Sequence, residues 1–130
     1  MRAAKVLTIN AIASGLIGLA CVLDAQLLAS VLLEASTPAA VLALRILGVG
    51  LTVFAIAVGL VAARRETPRT ALRVILWADT AWVAATLVLA PIFAAALTGA
   101  GLAAVIAAGV AVALFAVFEA HALRRATALA

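Results

Sequence analysis

The chain has 130 residues, of which 69% are hydrophobic and 11% are charged. A typical soluble domain is about half apolar and a quarter charged, and a globule of this size needs more polar surface than these residues supply. The composition therefore excludes an ordinary soluble domain and predicts an integral membrane protein. The formal net charge of +4 does not indicate a nucleic-acid partner, because the basic residues occupy positions typical of a membrane surface.

Long uncharged runs predict an all-α protein with four transmembrane helices. Residues 6–23 and 46–63 contain no charge, and the uncharged run 80–118 is about twice the ~20 residues that one spanning helix needs. The cluster Thr98-Gly99-Ala100-Gly101 divides this last run, because glycine-rich segments favour turns. A membrane β-barrel is excluded, since no segment alternates polar and apolar residues with a period of two.

Two further turns begin with the same pattern. Ser36-Thr37-Pro38 and Glu66-Thr67-Pro68 each predict a threonine N-cap followed by proline at the first helical position. We therefore expect helices near residues 6–33, 39–63, 69–96 and 101–123, in one transmembrane domain that covers residues 1–130. Their short connections predict an antiparallel, up-down-up-down bundle.

The basic residues predict the orientation in the membrane. All of them except Arg45 fall on one side of the four-helix arrangement, and the connections on the other side contain Glu34 and no basic residue. The positive-inside rule then places both termini in the cytoplasm. For a bacterial chain the corresponding membrane is the inner, or plasma, membrane.

Asp24 and Arg45 form a predicted intramembrane ion pair. Asp24 lies 19 residues after Lys5, and Arg45 lies 19 residues before Arg64. At ~1.5 Å per residue both are about 28 Å from the cytoplasmic edge, close to the outer boundary of the hydrocarbon. Because they belong to consecutive helices, we expect a salt bridge between them that maintains the helix register. The alternative is a substrate site.

A second polar layer is predicted near the cytoplasmic edge. Asn10, Asp79 and Glu119 each lie five or six residues inside a basic residue of the first, third or fourth helix, and His121 is slightly closer to the surface. Trp82 follows Asp79 on the same face at helical spacing. The two carboxyl groups either share a proton, as in a proton-coupled carrier, or bind local partners. Those partners are Asn10 or Trp82 for Asp79, and an inner arginine for Glu119.

Catalytic and cofactor chemistry has little support in the residues. One histidine and one cysteine make a poor metal site, and a single histidine cannot provide bis-histidine haem ligation. The chain has neither a phosphate-binding glycine motif nor a nucleophile with an evident base. We expect no enzyme activity, no catalytic residue, no cofactor and no metal.

Several short motifs resemble a known class of proteins. They are Asp24 in the first helix, Ala78-Asp79-Thr80-Ala81-Trp82 in the third, and the ending Phe118-Glu119 to Leu123-Arg124-Arg125. With these motifs the chain resembles the small four-helix integral membrane proteins of unknown function that are common in high-GC bacteria. The resemblance extends over the whole chain and implies a membrane location, but it implies no activity.

Two functional hypotheses follow from the sequence. The first is a non-enzymatic membrane protein that serves as an accessory, interaction or structural bundle subunit, with the lipid bilayer and a larger membrane complex or a second copy as partners. The second is a small oligomeric transporter or channel that uses the intramembrane carboxyl groups of Asp79 and Glu119. A continuous polar cavity that joins the two polar layers would favour transport, whereas a dry core would favour the structural role.

Overall fold

A computed structural model describes residues 2–128 and contains five α-helices. Their bounds are Ala3–Leu23 (α1), Ala25–Leu32 (α2), Pro38–Ala62 (α3), Arg69–Phe93 (α4) and Gly99–Ala128 (α5), with a short 3₁₀ helix at Ala94–Ala96. Four segments, Ala3–Leu23, Pro38–Ala62, Arg69–Ala96 and Gly99–Ala128, are long and apolar enough to span a membrane. The all-α, four-helix bundle is therefore confirmed. The antiparallel order of its helices stays a prediction.

The first predicted helix, 6–33, is divided in two at Asp24. This residue has φ −138° and ψ 46°, outside the helical region, and aspartate is one of the weaker helix formers because its side chain competes for backbone groups. Backbone hydrogen bonds continue across the break, from Asp24 N to Ala20 O and from Leu28 N to Asp24 O, both at 3.0 Å. The prediction of one uninterrupted helix is wrong at this residue.

The helix starts show which turn signals were correct. Thr37 Oγ1 accepts a hydrogen bond from Ala40 N at 3.2 Å, and Pro38 occupies the first turn, as predicted. By contrast, Pro68 is the residue that precedes α4, and no side chain caps this helix. Thr67 is therefore not an N-cap, and that prediction is wrong. The last helix also extends to Ala128, beyond the predicted end at residue 123.

A close helix contact joins α1 to α3 through Gly18 and Gly48. A Cβ atom added to Gly48 would lie 2.7 Å from Gly18 O and 2.7 Å from Cys21 Cβ. Neither separation is compatible with a real Cβ, so glycine is needed at this position for the two backbones to approach. Small residues allow such close packing in membranes, where van der Waals contact replaces the hydrophobic driving force.

The C-terminal end of α2 and the N-terminal end of α5 are joined by backbone and side-chain hydrogen bonds. Thr98 N donates to Leu32 O at 3.0 Å, and Thr98 Oγ1 donates to Val31 O at 2.6 Å. Thr98 Oγ1 also accepts from Gly101 N at 3.0 Å, which caps the start of α5. A Cβ on Gly101 would lie 1.9 Å from Leu32 O, so only glycine allows this contact.

The four long helices pack as two close pairs. α1 packs most extensively on α3, and α4 packs most extensively on α5, whereas α3 and α4 have no extensive contact with each other. At the end that contains the 63–68 connection, Leu7, Val58, Leu72 and Ile75 form a buried cluster that joins the two pairs. Farther along, a cleft lies between the two pairs, and beyond it α2 meets the start of α5 at the opposite end of the bundle.

The glycine contact between α1 and α3 gives a matched test. Gly48→Ala introduces a clash with a backbone carbonyl, whereas Gly50→Ala in the same helix adds a methyl group with nothing within 4 Å. Both substitutions gain the same helix propensity. We expect Gly48→Ala to be less stable than Gly50→Ala by about 1–3 kcal/mol, the usual cost of overpacking. Thermal unfolding of both variants in one detergent measures this difference, and equal stabilities would contradict the close contact.

Candidate functional site

A buried polar cluster connects α1, α4 and α5. Asn10 Nδ2 donates to Asp79 Oδ2 at 2.7 Å and to Glu119 Oε1 at 3.1 Å. All three residues are buried, with 1%, 4% and 0% of their surfaces exposed. One amide on the first helix thus bridges carboxyl groups from two other helices, inside a bundle that is otherwise apolar.

Ser14 extends the cluster by one turn of α1. Its Oγ donates to Asn10 Oδ1 at 3.0 Å, so the Asn10 amide uses both its carbonyl and its amino group. The two carboxyl acceptors and the single hydroxyl donor determine which way the amide faces, because only the amino group can donate to a carboxylate. These hydrogen bonds stabilise the bundle, because a polar group without a partner in hydrocarbon costs several kcal/mol of free energy.

The cluster lacks a positive charge. Glu119 Oε2 is buried and has no hydrogen-bond partner, and within residues 2–128 no ion pair reaches either carboxyl group. The inner arginine expected beside Glu119 is thus not in place, and Arg124 is exposed. Two ionised carboxylates this close would repel each other strongly in an apolar interior. The pair therefore needs a proton or another cation.

Asp79 also lines the cleft between the two helix pairs. The cleft has a volume of about 310 Å³ and is lined by residues of α1, α3, α4 and α5. Ser14 and Asp79 lie on its wall, Trp82 lies one turn beyond Asp79, and Phe54 and Phe115 add aromatic surface. Among the described residues that line the cleft, Asp79 is the only ionisable one. The cleft is therefore apolar, with one carboxyl group on its wall.

The other predicted members of the inner layer have different positions. Trp82 is half-buried and lines the cleft, but it makes no side-chain hydrogen bond to Asp79 among the described residues. His121 is exposed, and its Nδ1 lies 2.8 Å from Val117 O of its own helix. The structure therefore brings Asn10, Asp79 and Glu119 together and leaves His121 outside the cluster.

The structure does not bring Asp24 and Arg45 together. Both residues are exposed, and no salt bridge joins them within residues 2–128. Asp24 lies at the break between α1 and α2, so a continuous helical register does not describe its direction. Arg45 instead lines a surface depression with Gln26 and Ser36. The predicted salt bridge is not confirmed.

Sequence reasoning missed the cleft and two of the three aromatic residues on its wall, Phe54 and Phe115. Phe115 precedes Glu119 by one helical turn, so helical spacing was the available signal for this residue. Phe54 had no such signal, because its helix contributes nothing to the polar cluster. No group of three or more His, Cys, Asp or Glu side chains within residues 2–128 could hold a metal ion.

Removing the bridging amide tests the energetic role of the cluster. Asn10→Leu leaves two buried carboxyl groups without their donor, and each such loss costs about 1–3 kcal/mol. The control is Thr8→Val on the same helix, because Thr8 is exposed and its Oγ1 donates to the carbonyl of Ala4 in that helix and not to the cluster. We expect a large loss of unfolding free energy for Asn10→Leu and almost none for Thr8→Val. Equal effects would show that the cluster adds no stability.

Comparison with known proteins adds no further assignment. No protein-family model matches the chain, and neither a curated protein nor a solved structure is significantly similar to it. The site itself must therefore supply the argument for function.

Proposed function

We propose that the chain is a non-enzymatic, multi-pass protein of a bacterial inner membrane that serves as an accessory or structural subunit. The observation that carries this proposal is the Asn10–Asp79–Glu119 cluster, whose polar groups bind one another and tie three helices together. Such a cluster gives a membrane bundle a specific arrangement, since apolar contacts alone discriminate poorly between alternative helix orientations in lipid.

The character of the cleft supports this role over a water-filled pathway. Its lining is mainly apolar, and neither Asp24 nor Arg45 belongs to it. A polar route between the two predicted layers therefore lacks the side chains that would hydrate it. Ions crossing an apolar region of this kind meet a large desolvation barrier.

The outer faces of the helices are the surfaces that contact lipid or other proteins. Large apolar side chains are exposed on every spanning helix, including Leu16, Ile46, Leu87 and Ile106. These faces suit the lipid bilayer, and they also suit other apolar helices in a homo-oligomer or a larger membrane complex.

The orientation of the chain has its own test. Arg69 donates to the Ala126 carbonyl, and Arg2 and Arg125 line one surface depression, so basic residues from three parts of the chain lie at one end of the bundle. This grouping supports cytoplasmic termini under the positive-inside rule. Reporter fusions at both termini should be active only on the cytoplasmic side, and a fusion in the 34–37 connection only on the other side. An external C-terminus would contradict the proposed topology.

A small oligomeric transporter or channel is the second candidate. Glu119 Oε2 favours it, because this atom has no hydrogen-bond partner and no basic residue within 2–128 forms an ion pair with Glu119, whose other oxygen shares the Asn10 donor with Asp79. Carboxyl groups inside a membrane often mark proton or ion pathways. In this candidate Asp79 and Glu119 exchange a proton during transport.

Proteoliposomes distinguish the two candidates. Under an imposed pH gradient, an accessory or structural subunit should leave the proton leak equal to that of empty liposomes. The transporter candidate instead predicts a leak that Glu119→Gln abolishes, while the exposed, near-isosteric control Gln26→Glu leaves it unchanged. A Glu119-dependent leak would overturn the accessory role.

A further inference from the structure

We propose that the cleft between the helix pairs α1/α3 and α4/α5 binds a small lipophilic ammonium ion, with its cationic group at Asp79 and its apolar body between Phe54, Trp82 and Phe115. This binding site is independent of the accessory role proposed above. Its basis is the combination of the cleft's size, its lining and the charge of the cluster beside it.

The dimensions and lining of the cleft suit a small organic molecule. Its volume of about 310 Å³ falls at the lower end of the range of ~300–1,000 Å³ for small-ligand sites. Such sites are mostly apolar and contain a few polar groups that orient the ligand. Here Asp79 supplies a carboxyl group and Ser14 a hydroxyl group, and both residues are hydrogen-bonded to Asn10.

The charge of the cluster determines which class of ligand it favours: anionic, neutral or cationic. Asp79 and Glu119 are both buried and both accept from Asn10 Nδ2, and no basic residue of the described chain pairs with them. With one proton on the pair the cluster carries one negative charge, so an anionic ligand would add a second, and a neutral ligand would leave the first uncompensated. An ammonium group donates charge-assisted hydrogen bonds to a carboxylate and compensates the charge.

The aromatic residues support the same choice. Phe54, Trp82 and Phe115 come from three different helices and line one cleft. Aromatic faces attract cations and also pack against an apolar body. The cleft is partly open, so a small molecule can enter it from the surface of the bundle.

Matched ligands and matched variants test the inference. The probes are phenylpropylammonium and phenylpropanol, which have the same apolar body and differ in charge. Calorimetric titration of the purified protein in detergent, corrected for protein-free micelles, should show that the amine binds at least about tenfold more tightly than the alcohol. Asp79→Asn should remove this preference and leave the alcohol unaffected.

A second pair of variants tests the cleft without changing the polar cluster. Gly50 lines the cleft, and a Cβ there meets nothing within 4 Å, so Gly50→Leu fills the space and should weaken both ligands. The control is Gly99→Leu, the same substitution at a position with equally open surroundings outside the cleft, and it should bind like the parent chain.

Three results would overturn the proposal. They are equal binding of amine and alcohol to the parent chain, unchanged binding in Gly50→Leu, and binding of phosphatidylethanolamine at Asp79 without binding of the free amine. If Asp79→Asn does not fold, the comparison of Gly50→Leu with Gly99→Leu still decides whether the cleft holds the ligand. Failure of this test leaves the proton-leak result, and thus the accessory role, untouched.

Discussion

The structure depends on one constraint: polar groups inside a membrane must find partners within the protein. Asn10 meets this constraint for two helices at once, because its amino group donates to Asp79 and Glu119 while its carbonyl accepts from Ser14. The position of α1 relative to α4 and α5 therefore follows from a small set of directional bonds. The surrounding apolar contacts are compatible with many more arrangements.

The same arrangement produces the cleft. Gly18 and Gly48 draw α1 and α3 together, α4 packs mainly on α5, and the Asn10 cluster connects the two pairs near one end. Space remains farther along, where α3 and α4 do not pack closely. Asp79 takes part in both features, since it belongs to the cluster and lines the cleft. Asp79 therefore helps to connect the two helix pairs and is also the ionisable residue that a ligand in the cleft would meet.

The level of a side chain along its helix was predictable from the sequence, whereas the direction in which it projects from the helix was not. Counting residues from the basic anchors put Asn10, Asp79 and Glu119 at one level, and the structure brings these three together. The same counting put Asp24 and Arg45 at one level, but both are exposed and unbridged in the described chain. The rise per residue is nearly constant in any helix. The direction of a side chain depends on local backbone angles, which depart from helical values at Asp24.

The sequence by itself determined the fold class, the number of spanning helices and the residues that must avoid lipid, because these follow from composition and from the lengths of uncharged runs. Only the tertiary structure decided which helices pair closely, where the first helix breaks and that an apolar cleft lies beside Asp79. The physical reason is that alanine-rich helices offer many similar packing faces. The choice among these faces depends on differences of a few tenths of an ångström in the separation of atoms, such as those around Gly48. It also depends on the hydrogen-bond partners of three buried polar side chains.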